Sequence, residues 1–341
     1  MTGASMGTRP RSLRASRFAG LALALAVTAV LFASSLAVGS MQIPLPEVLR
    51  GLFAGDGSVS SLIVRTVRLP RALAALLVGG SLAVAGAIMQ ALTRNPLASP
   101  GILGVNAGAA LAVVAAVIVT GGLPLSAYAL FALLGAAVAG AFVYALGSAG
   151  RGNPSPLRLA LAGAVLMSFL TSLTTALLLL DQETLDQVRF WTAGSLAGRD
   201  MELLSLSAPY MLLGLLLAVP LSRRLTALSL GDDVARGLGQ RSGGVKLAAA
   251  LVVVLLAGGA VALAGPIAFV GLVAPHLARF LVGTDYRWVL PYAALLGAIL
   301  VTVGDIGARV ALRPQEIPVG VLMAVIGAPF FIHLARTKVR R

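Results

Sequence analysis

RLPRALAALLVGGSLAVAGAIMQALTRNPLASPGILG, residues Arg68 to Gly104, sets two apolar runs on either side of a break built on Asn95-Pro96 and Ser99-Pro100. The first run carries no charge from Ala72 to Leu92. As a helix it is long enough to cross a hydrocarbon core of about 30 Å. Inside a bilayer a lone segment must satisfy its own backbone polar groups, so helix is the conformation the run demands. Arg65, Arg68 and Arg71 stand at its entrance. Arginines at one mouth and a proline-broken turn at the other point to a transport subunit with a docking surface outside the membrane.

The same pattern extends along the whole chain. Of 341 residues, 58% are hydrophobic and 11% charged, a balance that predicts an all-α, polytopic membrane protein. Apolar runs near 18–39, 72–92, 98–119, 123–147, 157–180, 203–221, 245–264, 267–281, 288–308 and 318–335 give about ten transmembrane helices. The run at 267–281 is the shortest, reaching only about 22 Å as a helix. The net charge of +14 does not indicate nucleic acid, because the basic residues lie between apolar runs rather than in an aromatic-interleaved basic domain. With the N-terminus inside, the outer segments hold Arg50, Arg65, Arg68, Arg71, Arg189, Arg199, Arg309 and Arg313, and the other eighteen of 26 basic residues fall inside. The positive-inside rule thus places both termini in the cytoplasm. The first run follows Arg9, Arg11, Arg14 and Arg17 as a signal sequence would, with Ala33 to Ala37 mimicking a cleavage site. Its length favours an uncleaved first helix. The expected organisation is a basic cytoplasmic tail over 1–17, one transmembrane domain over 18–336 and a second cytoplasmic tail over 337–341.

GGSLAVAGAI (79–88) reads against GGAVALAGPI (258–267), and at the same offset Pro96 falls opposite Pro275. In the ten-span topology these segments run in opposite directions, as in the inverted repeats of membrane transporters; chance similarity between Ala/Gly-rich helices is the competing reading. The longest inside loop, 222–246, places Leu225, Leu228, Leu230, Val234 and Leu238 at helical spacing around Gly231 and Gly239. This predicts short amphipathic helices offered to a partner, with Asp232 and Asp233 at the N-terminus of the second. Outside, Pro46 to Phe53 reads as a short amphipathic helix, and Trp191 as an interfacial anchor.

Catalytic chemistry is not apparent. No GxxxxGK[ST] occurs, there is no cysteine, and the two histidines, His276 and His333, are far apart without a carboxylate cluster, so no metal site is expected. Asp305 is the clearest ionisable residue within a span, and Arg309 lies one helical turn on. A charge in a span is costly unless paired, so a structural ion pair is the primary expectation.

RLPR…GAIMQALTRNPLASPGILG, with GPIAFVGLVAPHLARFLVG (265–283) and EIPVGVLMAVIGAPFFI (316–332), closely resembles the FecCD-type permeases of ABC importers for iron–siderophore complexes, haem and cobalamin. The resemblance runs from about Gln42 to Arg336. It implies the type II importer permease fold, a second permease copy (a homodimer or paired heterodimer), a cytoplasmic ABC ATPase dimer and an extracytoplasmic substrate-binding protein. It implies no cofactor bound by this chain, with ATP and Mg used by the ATPase. The positions matching the family's binding-protein docking arginines are Arg68, Arg71 and Arg309. Those matching its ATPase-coupling helix are Leu230, Gly231, Asp232, Asp233, Val234, Ala235, Arg236, Gly237, Leu238 and Gly239. Asn95 and Leu97 match a cytoplasmic gate, although Asn-Pro also starts an ordinary turn. GNPSPL (152–157) departs from the family pattern before the fifth span and leaves a second gate unassigned.

The function expected on these grounds is a non-enzymatic permease subunit in the bacterial inner membrane. It moves a metal chelate by alternating access, with a ferric siderophore favoured over haem and cobalamin. An ion-coupled secondary transporter is the alternative; it predicts midplane ion sites, for which only Asp305 offers itself.

Overall fold

The computed structural model describes residues 10–39, 41–54, 57–122, 124–148, 155–313 and 315–339. The chain runs through α1 (Pro10–Ala37), α2 (Leu45–Phe53), α3 (Val59–Ile63), α4 (Leu69–Thr93), α5 (Val105–Thr120), α6 (Leu125–Ser148) and α7 (Pro156–Leu180). It continues through α8 (Gln182–Thr192), α9 (Met201–Ser229), α10 (Asp232–Gly237), α11 (Ser242–Ala264), α12 (Val270–Val282), α13 (Tyr286–Val310) and α14 (Val319–Val339). Ten of these coincide with the ten apolar runs. Seven helical stretches have the length and composition to cross a membrane, and α5, α12 and the apolar part of α14 are shorter. This is a multi-pass, all-helical membrane protein; no strand occurs among the described residues.

Local chemistry sets the helix boundaries. Asp200, Asp285, Asp181 and Ser155 cap α9, α13, α8 and α7, each accepting a backbone N–H of the first turn. Between α3 and α4 lies a π-helical stretch, Val64–Arg68. Pro70 explains it, since a proline lacks the N–H of the ordinary ladder and crowds the carbonyl four residues back. The helix thus continues from Val59 to Thr93 across the arginine-rich entrance.

α4 and α11 form the centre, with 83% and 72% of their most apolar windows buried, against 11% for α7 and 17% for α1 at the periphery. α4 lies along α13, α11, α9 and α12. Glycine permits the closest approaches. A Cβ on Gly79 would stand 2.3 Å from the Gly297 carbonyl oxygen, and one on Gly86 only 1.8 Å from that of Gly271.

The bundle has two distinguishable ends. At one, α4 begins beside the C-terminus of α13, and Ser195 donates its N–H to the carbonyl of Ala264 at the end of α11 (2.8 Å). At the other, the Tyr286 N–H reaches Thr226 Oγ1 (3.0 Å) and the Tyr292 hydroxyl reaches the Arg17 carbonyl (2.6 Å). α4 and α11 therefore run antiparallel, as the repeat required. The repeat does not continue into equivalent structure, however. Pro96 lies in a turn, whereas Pro275 lies inside α12.

Two other expectations need revision. The first half of the inside loop is not a separate helix, because α9 continues unbroken through Ser229. Its apolar positions Leu225 and Leu228 are buried, which extends the packed face of the span beyond the membrane run. α1 begins at Pro10, so part of the expected N-terminal tail is helical; residues 1–9 and 340–341 of the two tails lie outside the described residues, as does the first half of GNPSPL, 152–154.

Candidate functional site

At the first end, Arg68 and Arg71 from the start of α4, Asp305 and Arg309 from α13 and Glu316 from the segment before α14 converge on the C-terminal end of α1. Asp305 is fully buried and receives Arg71 through Nη2 (2.9 Å) and Nε (3.0 Å), with Arg309 Nη2 at 3.1 Å. The second branch of Arg71 donates to Glu316 Oε2 at 2.6 Å. Arg309 also donates to the carbonyls of Ser35 (2.9 Å) and Val38 (2.8 Å) and to Ser35 Oγ (2.6 Å). Arg68 donates to the carbonyls of Leu36 and Ala37, both at 2.7 Å, and to that of Met41. The last turn of α1 leaves carbonyls without intrahelical donors and carries the negative end of the helix dipole, and two guanidiniums satisfy both needs. Arg65 does the same for α2, donating to the carbonyls of Gly51 (2.6 Å) and Leu52 (2.8 Å).

All three arginines matched to docking are thus brought together, but they are buried and hydrogen-bonded within the chain. The sequence located the Asp305–Arg309 pair through its four-residue spacing. It offered no signal for the partners of Arg68, which are backbone carbonyls.

Beside this cluster is a cavity of about 400 Å³ lined by Tyr128, Gln187, Trp191, Ser195, Arg199 and Glu316, among others. Trp191 is 3% exposed, so it is a core residue here rather than the interfacial anchor its sequence context indicated. Its carbonyl lies so close to Gly265 that a Cβ there would approach within 2.0 Å. The positive φ of Gly265 (72°) ends α11 at this contact, while Gly86, its counterpart in the repeat, mediates helix packing instead. Arg199 is 6% exposed, and burial pushes its guanidinium down to about 10, with Asp200 opposing the shift and Arg71 reinforcing it. Sequence inspection counted Arg199 only as an outer basic residue.

At the second end, α10 stands on the surface between turns at Gly231 and Gly239, whose φ values of 124° and 76° suit glycine. Its root is fixed by Lys246, almost fully buried in α11, which pairs with Asp232 at 2.9 Å. Asp232 therefore anchors the helix from its first turn, and the N-cap is Gly231 without a side-chain bond. Asp233 and Arg236 form an exposed pair at 3.7 Å, and Ala235 faces inward. Leu230, Val234 and Leu238 are 64%, 46% and 70% exposed, an apolar face with no partner among the described residues. The Arg94 guanidinium at the end of α4 abuts Gly231, bringing the Asn95–Leu97 turn to the same end. In that turn Asn95 Oδ1 accepts the Leu97 N–H at 2.9 Å, the local bond expected of an Asn-Pro turn.

Comparison with known proteins agrees with this architecture. The profile of the FecCD transport family matches residues 27–337. The chain is 50% identical over 290 residues to "Probable siderophore transport system permease protein YfiZ" of Bacillus subtilis (strain 168), covering 85% of this chain and 87% of that protein. It is 46% identical over 304 residues to the Fe(3+)-citrate import system permease protein YfmD of the same organism, covering 89% and 90%. A solved ABC transporter of the metal-chelate type, in an inward-facing conformation, superposes with a TM-score of 0.83 at 31% identity, covering 93% of this chain and 98% of that one.

Proposed function

The chain belongs to the FecCD transport family, and from that premise we propose that it is the permease subunit of an ATP-driven importer carrying a ferric chelate, a ferric siderophore foremost, into the cytoplasm. Haem and cobalamin are the other substrates of this reading. The observation that carries the coupling role is α10. It is a surface helix locked to α9 and α11 at its root, with an apolar face that has no partner among the described residues. A rigid knob of this kind transmits displacement, whereas a solvated linker does not. ATP binding and hydrolysis in an attached cytoplasmic ABC ATPase dimer push on α10 at Leu230 to Gly239, and the packed helices open the pathway alternately to the two sides.

In this reading the α10 end and both termini face the cytoplasm, and the arginine end faces outward. An extracytoplasmic binding protein docks there by offering carboxylates to Arg68, Arg71 and Arg309, which exchange internal partners for the incoming acids. The exposed apolar face of α7 leaves room for lipid or a second permease copy, with which the chain forms a homodimer. Asn95 and Leu97 form a gate at the cytoplasmic side, close to the coupling helix. The secondary-transporter reading loses its candidate ion site, because Asp305 is held by two arginines near the end of a span.

The test is affinity purification from native membranes in mild detergent, with mass spectrometry of what is retained. Recovery of an ATPase bearing GxxxxGK[ST] is the expected result. Repeated recovery of the intact, folded chain alone would overturn the importer reading.

A further inference from the structure

We propose that the cavity between α6, α8 and the Ile317–Pro318 segment is an oxyanion site in which Arg199 and Trp191 hold a carboxylate arm of the transported chelate, so that the permease itself selects for anionic chelates. This deepens the importer reading and rests on it.

Two of the residues lining this cavity carry buried donors without acceptors. Trp191 Nε1 and Arg199 Nε have no hydrogen-bond partner, and no carboxylate lies within ion-pair distance of Arg199 among the described residues. An indole N–H and a guanidinium can only donate, so what completes the site must be an acceptor. A guanidinium buried without a counter-charge is costly, so that acceptor is best an anion. Glu316 is the cavity's acidic residue, but its carboxylate is engaged by Arg71 at 2.6 Å. Asp200 beside Arg199 offsets part of the burial effect at a distance, but it is exposed, caps α9 through the Leu203 N–H at 2.8 Å and makes no ion pair with Arg199. Of the four buried arginines at this end, Arg71 and Arg309 pair with Asp305 and Glu316 and Arg68 donates to helix-end carbonyls, so Arg199 alone has no acceptor within the chain among the described residues.

The site is also held in shape without ligand. Ser195 N–H donates to the Ala264 carbonyl (2.8 Å), Gly320 N–H to the Gly194 carbonyl (2.9 Å), and Ala197 N–H to Ser195 Oγ (3.1 Å). The segment carrying Arg199 is thus tied to the end of α11 and the start of α14. A preformed, donor-rich recess of this size accepts one arm of a chelate at little ordering cost.

The experiment uses the full-length chain in lipid nanodiscs, with citrate as probe and sodium chloride at matched ionic strength as control. Trp288→Phe leaves Trp191 as the reporter, because the chain has two tryptophans. Citrate should shift Trp191 emission saturably and raise the thermal midpoint above the chloride control. Arg199→Gln should weaken the midpoint of that titration at least tenfold, while Arg199→Lys retains part of it. Arg199→Gln should also unfold at a higher temperature than the wild type without citrate, since it removes an unpaired buried charge. No saturable change in the Trp288→Phe chain, or an unchanged midpoint in Arg199→Gln, would overturn the site; if that variant does not fold, the wild-type thermal shift decides alone. Capture of the ATPase alongside a negative citrate result removes the site and leaves the importer standing, whereas failure of capture removes the importer reading itself.

Discussion

Asp305 holds two guanidiniums, Arg71 from α4 and Arg309 from its own helix, and none of the three side chains is more than 8% exposed. Truncation of one member leaves buried charge without compensation. Asp305→Ala is expected to destabilise the fold by about 3–5 kcal/mol, read as a lower thermal midpoint in detergent. Glu316→Gln should cost less, because Glu316 is 29% exposed and water can replace part of what is lost. Charge reversal at Arg68, Arg71 and Arg309 is expected to weaken capture of the binding protein while ATPase association persists. Since these arginines also hold α1 and α13, docking must be measured on variants whose thermal midpoint shows them folded; unchanged docking in such variants would remove the assignment. The Asp305–Arg309 contact was legible from spacing alone. Arg71, 234 positions from Asp305, was not, because nothing local distinguishes an arginine facing a buried acid from one snorkelling at the interface.

At the scale of elements, α10 and the α4–α12 contact make separate demands. Leu230, Val234 and Leu238 contribute little to this chain's own core, so replacing all three with Asp should abolish ATPase association and leave the thermal midpoint nearly unchanged. Retained association would count against the coupling role. Lys246→Met should act differently, freeing the root of α10; faster amide exchange over 232–237 is the expected signature. In α4, Gly86→Leu drives a side chain into the Gly271 backbone, where even a Cβ has no space, and should prevent stable folding. The sequence announced α10 through apolar spacing between glycines. It misplaced the preceding residues, since an amphipathic turn that continues a packed helix has the same spacing as one that stands alone.

Across the whole molecule, the two ends of the bundle must lie on opposite sides of the membrane. The natural absence of cysteine makes this directly testable. Asp186→Cys and Asp233→Cys are surface positions at the arginine and α10 ends. Asp186→Cys should react with an impermeant maleimide in intact spheroplasts, and Asp233→Cys only after permeabilisation; the reverse pattern would invert the proposed orientation. By itself the sequence determined the class of molecule, the ten membrane runs, their alternation and the surface helix, because hydropathy, run length and charge bias are properties of consecutive residues that the bilayer reads one segment at a time. Only the tertiary structure decided that arginines expected at an outer surface are buried caps on α1 and partners of Asp305, that Trp191 is core, and that Arg199 stands over a cavity without an acceptor. Those facts depend on which groups from distant segments meet, and a carbonyl at the end of one helix leaves no mark in the sequence of the arginine that reaches it.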